Sequence, residues 1–213
     1  MRRYEKILVL LVLGSLWGAL ELFGRDLLRA AGAPEKSAVL FGLGIIILYA
    51  SKRLVDFPGS VVVMALIAGL FKTASSYFFP CQFAAVMING IVFDIAYSAF
   101  RERLDSSPLY RVLAAPVIVY ASYAAFALIA AYVLREASWA ANGWAGIRSF
   151  LASDAVSASL ISIVTINLGY YLGNAIQPYA LLRKWRAPAV LFRVVSVVLV
   201  AAIWIAGQVY AKA

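Results

Sequence analysis

Histidine is absent from the 213 residues, and cysteine occurs once, at Cys81. Without histidine the chain lacks the commonest general base and the commonest metal ligand. A lone thiol forms no internal disulfide, so Cys81 reads as a small apolar residue in a helix turn. Acidic residues are scarce too, with 10 Asp and Glu against 19 Lys and Arg. No acidic pair has metal-binding spacing within an apolar run, and neither a G-x-x-x-x-G-K-[ST] phosphate loop nor a G-x-S-x-G nucleophile elbow occurs. An enzyme is therefore not expected, nor a resident cofactor or metal, and the chain is not itself a P-loop ATPase.

Long polar stretches are missing as well. Hydrophobic residues make up 64% of the chain and the mean hydropathy is +0.89, so lipid is the natural solvent. Seven apolar stretches stand out, at residues 7–28, 38–50, 59–79, 81–100, 112–134, 155–174 and 189–209. A bilayer core of roughly 30 Å takes about 20 helical residues, which all but the second supply. The second is either a tilted or partly buried helix extended by Tyr49 to Arg53, or a re-entrant piece. No alternating ten-residue pattern suggests a barrel, and an open sheet leaves backbone groups unpaired in lipid. The expected fold is an all-α polytopic membrane bundle in one domain, with six core transmembrane helices and a seventh, carboxyl-terminal one.

The net charge of +9 suggests nucleic acid in a soluble chain. Here the basic residues flank the apolar runs, where they act as topology signals and contacts to anionic lipid, and no nucleic-acid partner is expected. Lys52, Arg53, Arg101, Arg103, Arg111, Arg183, Lys184, Arg186 and Arg193 join Arg2, Arg3 and Lys6 on one side. Arg25, Arg29, Lys36, Arg135, Arg148 and Lys212 fall on the other, half as many. The asymmetry predicts a cell-membrane protein with its amino terminus in the cytoplasm and its carboxyl terminus outside. Met1 to Lys6 and the run that follows resemble a signal peptide, with Ala31, Gly32 and Ala33 as a cleavage-like site. Pro34 after that site and Glu21 and Arg25 before it favour an uncleaved first helix.

Ionisable groups at membrane depth need a partner, a watery cavity or a place near the interface. Glu21, Lys72 and Asp94 are the three that stand out. At 1.5 Å per residue, Glu21, Lys72 and Asn89 all fall about 18 to 21 Å from the inner surface, in the outer half of the bilayer. That level suits the polar floor of a mostly apolar pocket open to the outside. It equally suits a structural ion pair between Glu21 and Lys72, and the two roles are compatible. Asp94, five residues past Asn89, lies about 140° round the helix and deeper. It is a partner for the inner basic loops, a backbone-bonded acid, or a coupling or gating group counted with the substrate site. Asp154, with Ser153 and Ser157, is expected to cap a helix at residue 155. Asn167, Asn174 and Gln177 read as interhelical hydrogen-bond donors and acceptors.

Gly14 and Gly18 form a small-xxx-small face on the first helix, either packed within the bundle or docking a partner. Ala65 with Gly69 and Gly169 with Gly173 repeat the pattern. Residues 135–154 are expected to be the longest outer loop. Trp139, Trp144 and Phe150 within it either anchor the chain at the lipid interface or form a lid over an outward pocket.

Taken together, the small-residue face at Gly14 and Gly18, the Phe57, Pro58, Gly59 entry to the third helix, and Asn89 and Asp94 resemble the substrate-binding S components of energy-coupling-factor transporters. The likeness covers roughly the first hundred residues. It implies a six-helix membrane subunit that binds a small, vitamin-like nutrient in an outward-facing pocket, where Glu21, Lys72 and Asn89 fall. It also implies that the first-helix face docks on a transmembrane coupling subunit driven by two cytoplasmic ATPase subunits, with Gly14 and Gly18 where that family usually has alanine. The short second stretch and the extra carboxyl-terminal helix depart from the pattern. A stand-alone permease, or a structural subunit of another membrane complex, is the alternative.

Overall fold

The computed structural model describes residues 3–73, 80–176 and 189–212. Arg2, Gln177, Arg183, Lys184, Arg186 and the 74–79 end of the third expected span lie outside these described residues. Seven helices make up the described chain: α1 (Arg3–Ala30), α2 (Lys36–Leu54), α3 (Ser60–Thr73), α4 (Pro80–Ser106), α5 (Pro108–Leu128), α6 (Ala137–Ala175) and α7 (Ala189–Lys212). A single π-helical turn, Ile129–Val133, prolongs α5. No strand occurs among the described residues, and six of the helices, all but α3, are long and apolar enough to cross a membrane. The protein is an all-α, multi-pass membrane bundle.

The packing order gives the bundle its use. Going round, α1 packs on α3, α3 on α4, α4 on α5, α5 on α6, α6 on α2, and α2 back on α1. Six helices thus close a ring, and α7 lies outside it against α1. The α7 attachment is polar as well as apolar: Trp204 donates its indole N–H to Ser15 Oγ at 2.9 Å, and Tyr210 donates to Asp26 at 2.9 Å. The outward face of α7 exposes Val194, Val197, Val198 and Ile205, the side-chain set expected against lipid rather than water. We call the end of the ring holding the start of α1 proximal and the opposite end distal.

Two expected boundaries change. The second helix has 19 residues, not 13, because it begins at Lys36 and runs on through Ser51, Lys52, Arg53 and Leu54; it is the extended helix of the two expected forms, not the re-entrant piece. A hydropathy window stops at those charges. The chain does not, since Lys52 is only 1% exposed and ion-paired. The shorter apolar helix is instead α3, with 14 described residues.

Residues 135–154 are not a loop. Arg135 turns the chain with φ 51, and α6 starts at Ala137 with Glu136 as its cap, accepting from Trp139 N at 3.3 Å. The Ser138 hydroxyl, and then the Trp139 and Ser138 backbone N–H groups, hold the Glu136 carboxyl below its usual range. Gly143, at φ 49 and ψ −140, breaks the helix once before it runs on; a side chain would strain that left-handed position. Asp154 consequently sits inside α6, accepting from Ser153 Oγ, and caps nothing.

Candidate functional site

The site begins with how closely α1 and α3 approach. A β-carbon on Gly14 would lie 2.8 Å from Ile67 Cβ and 2.9 Å from the Met64 carbonyl, and one on Gly18 would lie 2.6 Å from Phe71 Cβ. Both glycines therefore face α3. The face proposed for a docking partner is already covered, which corrects the intermolecular assignment of Gly14 and Gly18. Their physical role is to let the helix backbones come together. One turn beyond Gly18 and one residue beyond Phe71, that approach brings Glu21 Oε2 to 3.0 Å from Lys72 Nζ.

Glu21 is 8% and Lys72 3% exposed. A pair removed from solvent to this degree loses hydration on both ions, and separating it is costly, at about 3–5 kcal/mol when one partner is removed. Asn89 lines the same space from α4, where Gly90 lets that helix close on Ala65 of α3. Glu21 lies nine residues from the distal end of α1 and Asn89 nine from that of α4, about 13 Å in each case.

Around these three runs a partly enclosed cavity of about 170 Å³, and all six ring helices line it. From α1 come Glu21 and Arg25; from α2, Ser37, Leu40 and Phe41; from α3, Lys72; from α4, Gln82, Ala85, Val86 and Asn89; from α5, Ser122, Tyr123 and Phe126; from α6, Phe150. The charged groups come from α1 and α3. The aromatic wall comes from α2, α5 and α6: Tyr123 stacks on Phe150 with centroids 4.9 Å apart, and Phe41 meets Tyr123 edge-on at 5.4 Å. Ser122 is fully buried, and its hydroxyl has no hydrogen-bond partner among the described residues.

The three aromatic residues of the expected lid separate. Phe150 lines the cavity, and Trp139 packs edge-on against it at 4.9 Å and against Phe126 at 5.5 Å. Trp144 is 57% exposed and takes no part. It lies one residue past Gly143, where the chain turns.

Asp94 does not belong to this cavity. It lies near the proximal end, 2.7 Å from Lys52 Nζ, and accepts from Gly59 N at 2.7 Å and Val61 N at 3.3 Å. It caps α3 from a neighbouring helix, satisfying backbone donors that the first turn leaves open. Gly59, at φ 87, shapes the turn that points those donors at it. Of the four residues assigned to a substrate site, three meet and Asp94 is a structural anchor.

The same end holds groups that the sequence reading assigned to loops. Arg53 pairs with Asp105 at 2.6 Å and donates to Asn174 at 2.8 Å. Arg111, 2% exposed, donates to Asn167 and to the Leu104 carbonyl and lies 3.8 Å over the Tyr170 ring. Tyr49 and Tyr97 both donate to Asp105. Asn167 and Asn174 thus do link helices, as their position predicts.

The residues missed at the cavity are the polar and charged Arg25, Ser37, Gln82 and Ser122 and the apolar and aromatic Leu40, Phe41, Ala85, Val86, Tyr123 and Phe126. Their signal is helical spacing: Gln82, Ala85, Val86 and Asn89 form one stripe of α4, and Glu21 with Arg25, Ser37 with Phe41, and Ser122 with Phe126 each lie four apart. Among the described residues no group of three His, Cys, Asp or Glu side chains is placed to hold a metal ion. Compared with protein-family models, curated proteins and solved structures, the chain matches none.

Proposed function

We propose that this protein is the membrane-embedded binding subunit of a transporter for a small, vitamin-like molecule, energised by separate ATPase subunits as in the S components it resembles. The observation that carries the reading is the cavity inside the six-helix ring, to which every ring helix contributes. A purely structural ion pair has no use for the space beside it, for an aromatic wall, or for a buried hydroxyl left without a partner among the described residues. Mostly apolar lining with a few convergent polar groups is the usual make-up of a small-molecule site. The absence of a phosphate-binding loop from this chain supports a division of labour with ATPase subunits.

Filling the cavity tests this. Ala85 lines it from α4, and Ala85→Phe places a ring in the space a ligand needs. Extraction and mass spectrometry of purified protein should find a small molecule with the wild type and lose it with Ala85→Phe, and uptake in cells should fall with it. Equal recovery from both proteins, with uptake unchanged, contradicts the reading.

A further inference from the structure

We infer that the cavity takes a small, flat carboxylate: an aromatic acid whose anionic group meets Lys72 and Arg25 and whose ring lies among Phe41, Tyr123 and Phe150. This rests on the binding reading above and adds the chemical class.

Size sets the first limit. A cavity of about 150 Å³ is known to hold one benzene ring, so about 170 Å³ accommodates one ring with small substituents. Shape sets the second. The stacked Tyr123 and Phe150 rings, with Phe41 edge-on, offer flat apolar surface to another ring.

Charge decides the class. Among the described residues that line the cavity, Glu21 is the one acid, against two cations, Lys72 and Arg25. Lys72 donates to Glu21 and, of its three protons, leaves two without a partner among the described residues. Arg25, exposed at the rim one turn beyond Glu21, forms no salt bridge with the described residues. An ammonium ligand would meet this excess positive charge, and a neutral one would leave the Lys72 protons unanswered. A carboxylate satisfies both cations through charge-assisted hydrogen bonds. On the far wall the orphaned Ser122 hydroxyl, fully buried, calls for a hydrogen-bonding substituent at the other end of the ring.

Three probes of one shape separate the possibilities: para-hydroxybenzoate, para-hydroxybenzamide and para-hydroxybenzylamine. Affinities are measured by calorimetry, up to millimolar probe, on the purified full chain in neutral-lipid nanodiscs. The carboxylate is expected to bind at least about tenfold tighter than the amide, with the amine weakest. Arg25→Gln, at an exposed position that the fold tolerates, should weaken the carboxylate more than the amide and so shrink the carboxylate preference to a few-fold or less. Ser122→Ala should erase the advantage of para-hydroxybenzoate over benzoate.

Equal binding of all three probes, abolished by Ala85→Phe, overturns the carboxylate assignment and leaves the binding reading standing. Binding that Ala85→Phe does not affect places the probes elsewhere and overturns both. No binding by any probe overturns the carboxylate assignment, while the mass-spectrometric comparison above decides the binding reading separately. Nanodiscs containing phosphatidylglycerol give the last arm. Loss of probe binding there assigns the cations to a lipid phosphate and overturns the proposal; unchanged binding supports a water-borne acid.

Discussion

Gly18 of α1 and Phe71 of α3 touch so closely that a β-carbon on the glycine would stand 2.6 Å from the Phe71 β-carbon. That contact sets the distance between the two helices carrying Glu21 and Lys72. Gly18→Leu should therefore act twice, lowering stability by about 1–3 kcal/mol through overpacking and weakening ligand binding by parting the pair. Thermal unfolding in detergent and a binding isotherm on the same sample check both. A variant that loses stability but binds normally would uncouple the contact from the site.

The Lys52 and Asp94 pair predicts a different pattern at the proximal end. Lys52→Met leaves a buried carboxylate uncompensated and should cost about 3–5 kcal/mol. Adding Asp94→Asn removes the charge yet keeps an oxygen for the Gly59 N–H, so the double variant should recover most of the loss. Ligand affinity should stay unchanged throughout, because neither residue lines the cavity. Melting curves of the three proteins, read beside their binding isotherms, decide it.

The helical class was legible because lipid leaves a backbone few alternatives, and Glu21, Lys72 and Asn89 could be set at one depth because helical rise is constant. Asp94 shows where that arithmetic stops. Rise and rotation say that it leaves the Asn89 face, but not that α3 begins beside it. Lys52, Arg53 and Arg111 look in sequence like flanking topology charges, because a window of composition cannot see a partner on another helix. The α5 wall, Ser122 to Phe126, stayed hidden for the same reason: its four-residue spacing is visible in sequence, and the ring order that turns it inward is not. Gly14 and Gly18 were correctly read as a close-approach face, whose neighbour only the packing reveals.

Trp139 and Trp144 should differ sharply. Trp139 buttresses Phe150 and Phe126 at the cavity wall, whereas Trp144 is exposed. Trp139→Ala should weaken ligand binding several-fold, by roughly 1 kcal/mol or more for a lost aromatic contact, and Trp144→Ala should leave it unaltered. Titrations of both variants check this.

The basic asymmetry predicts orientation. In a Cys81→Ser background, a cysteine at exposed Pro58 should be shielded from a membrane-impermeant maleimide in intact cells, and one at exposed Asn142 should react. The reverse labelling pattern would put the cavity end of the ring in the cytoplasm and exclude uptake from outside.

The most direct measurement compares wild type with the double variant Glu21→Gln, Lys72→Met. Replacing both members of a buried pair by uncharged groups of similar size is often neutral or stabilising. The account predicts a melting temperature at or above that of the wild type, together with loss of ligand binding and uptake. Retention of full binding and uptake by a stable double variant would contradict it.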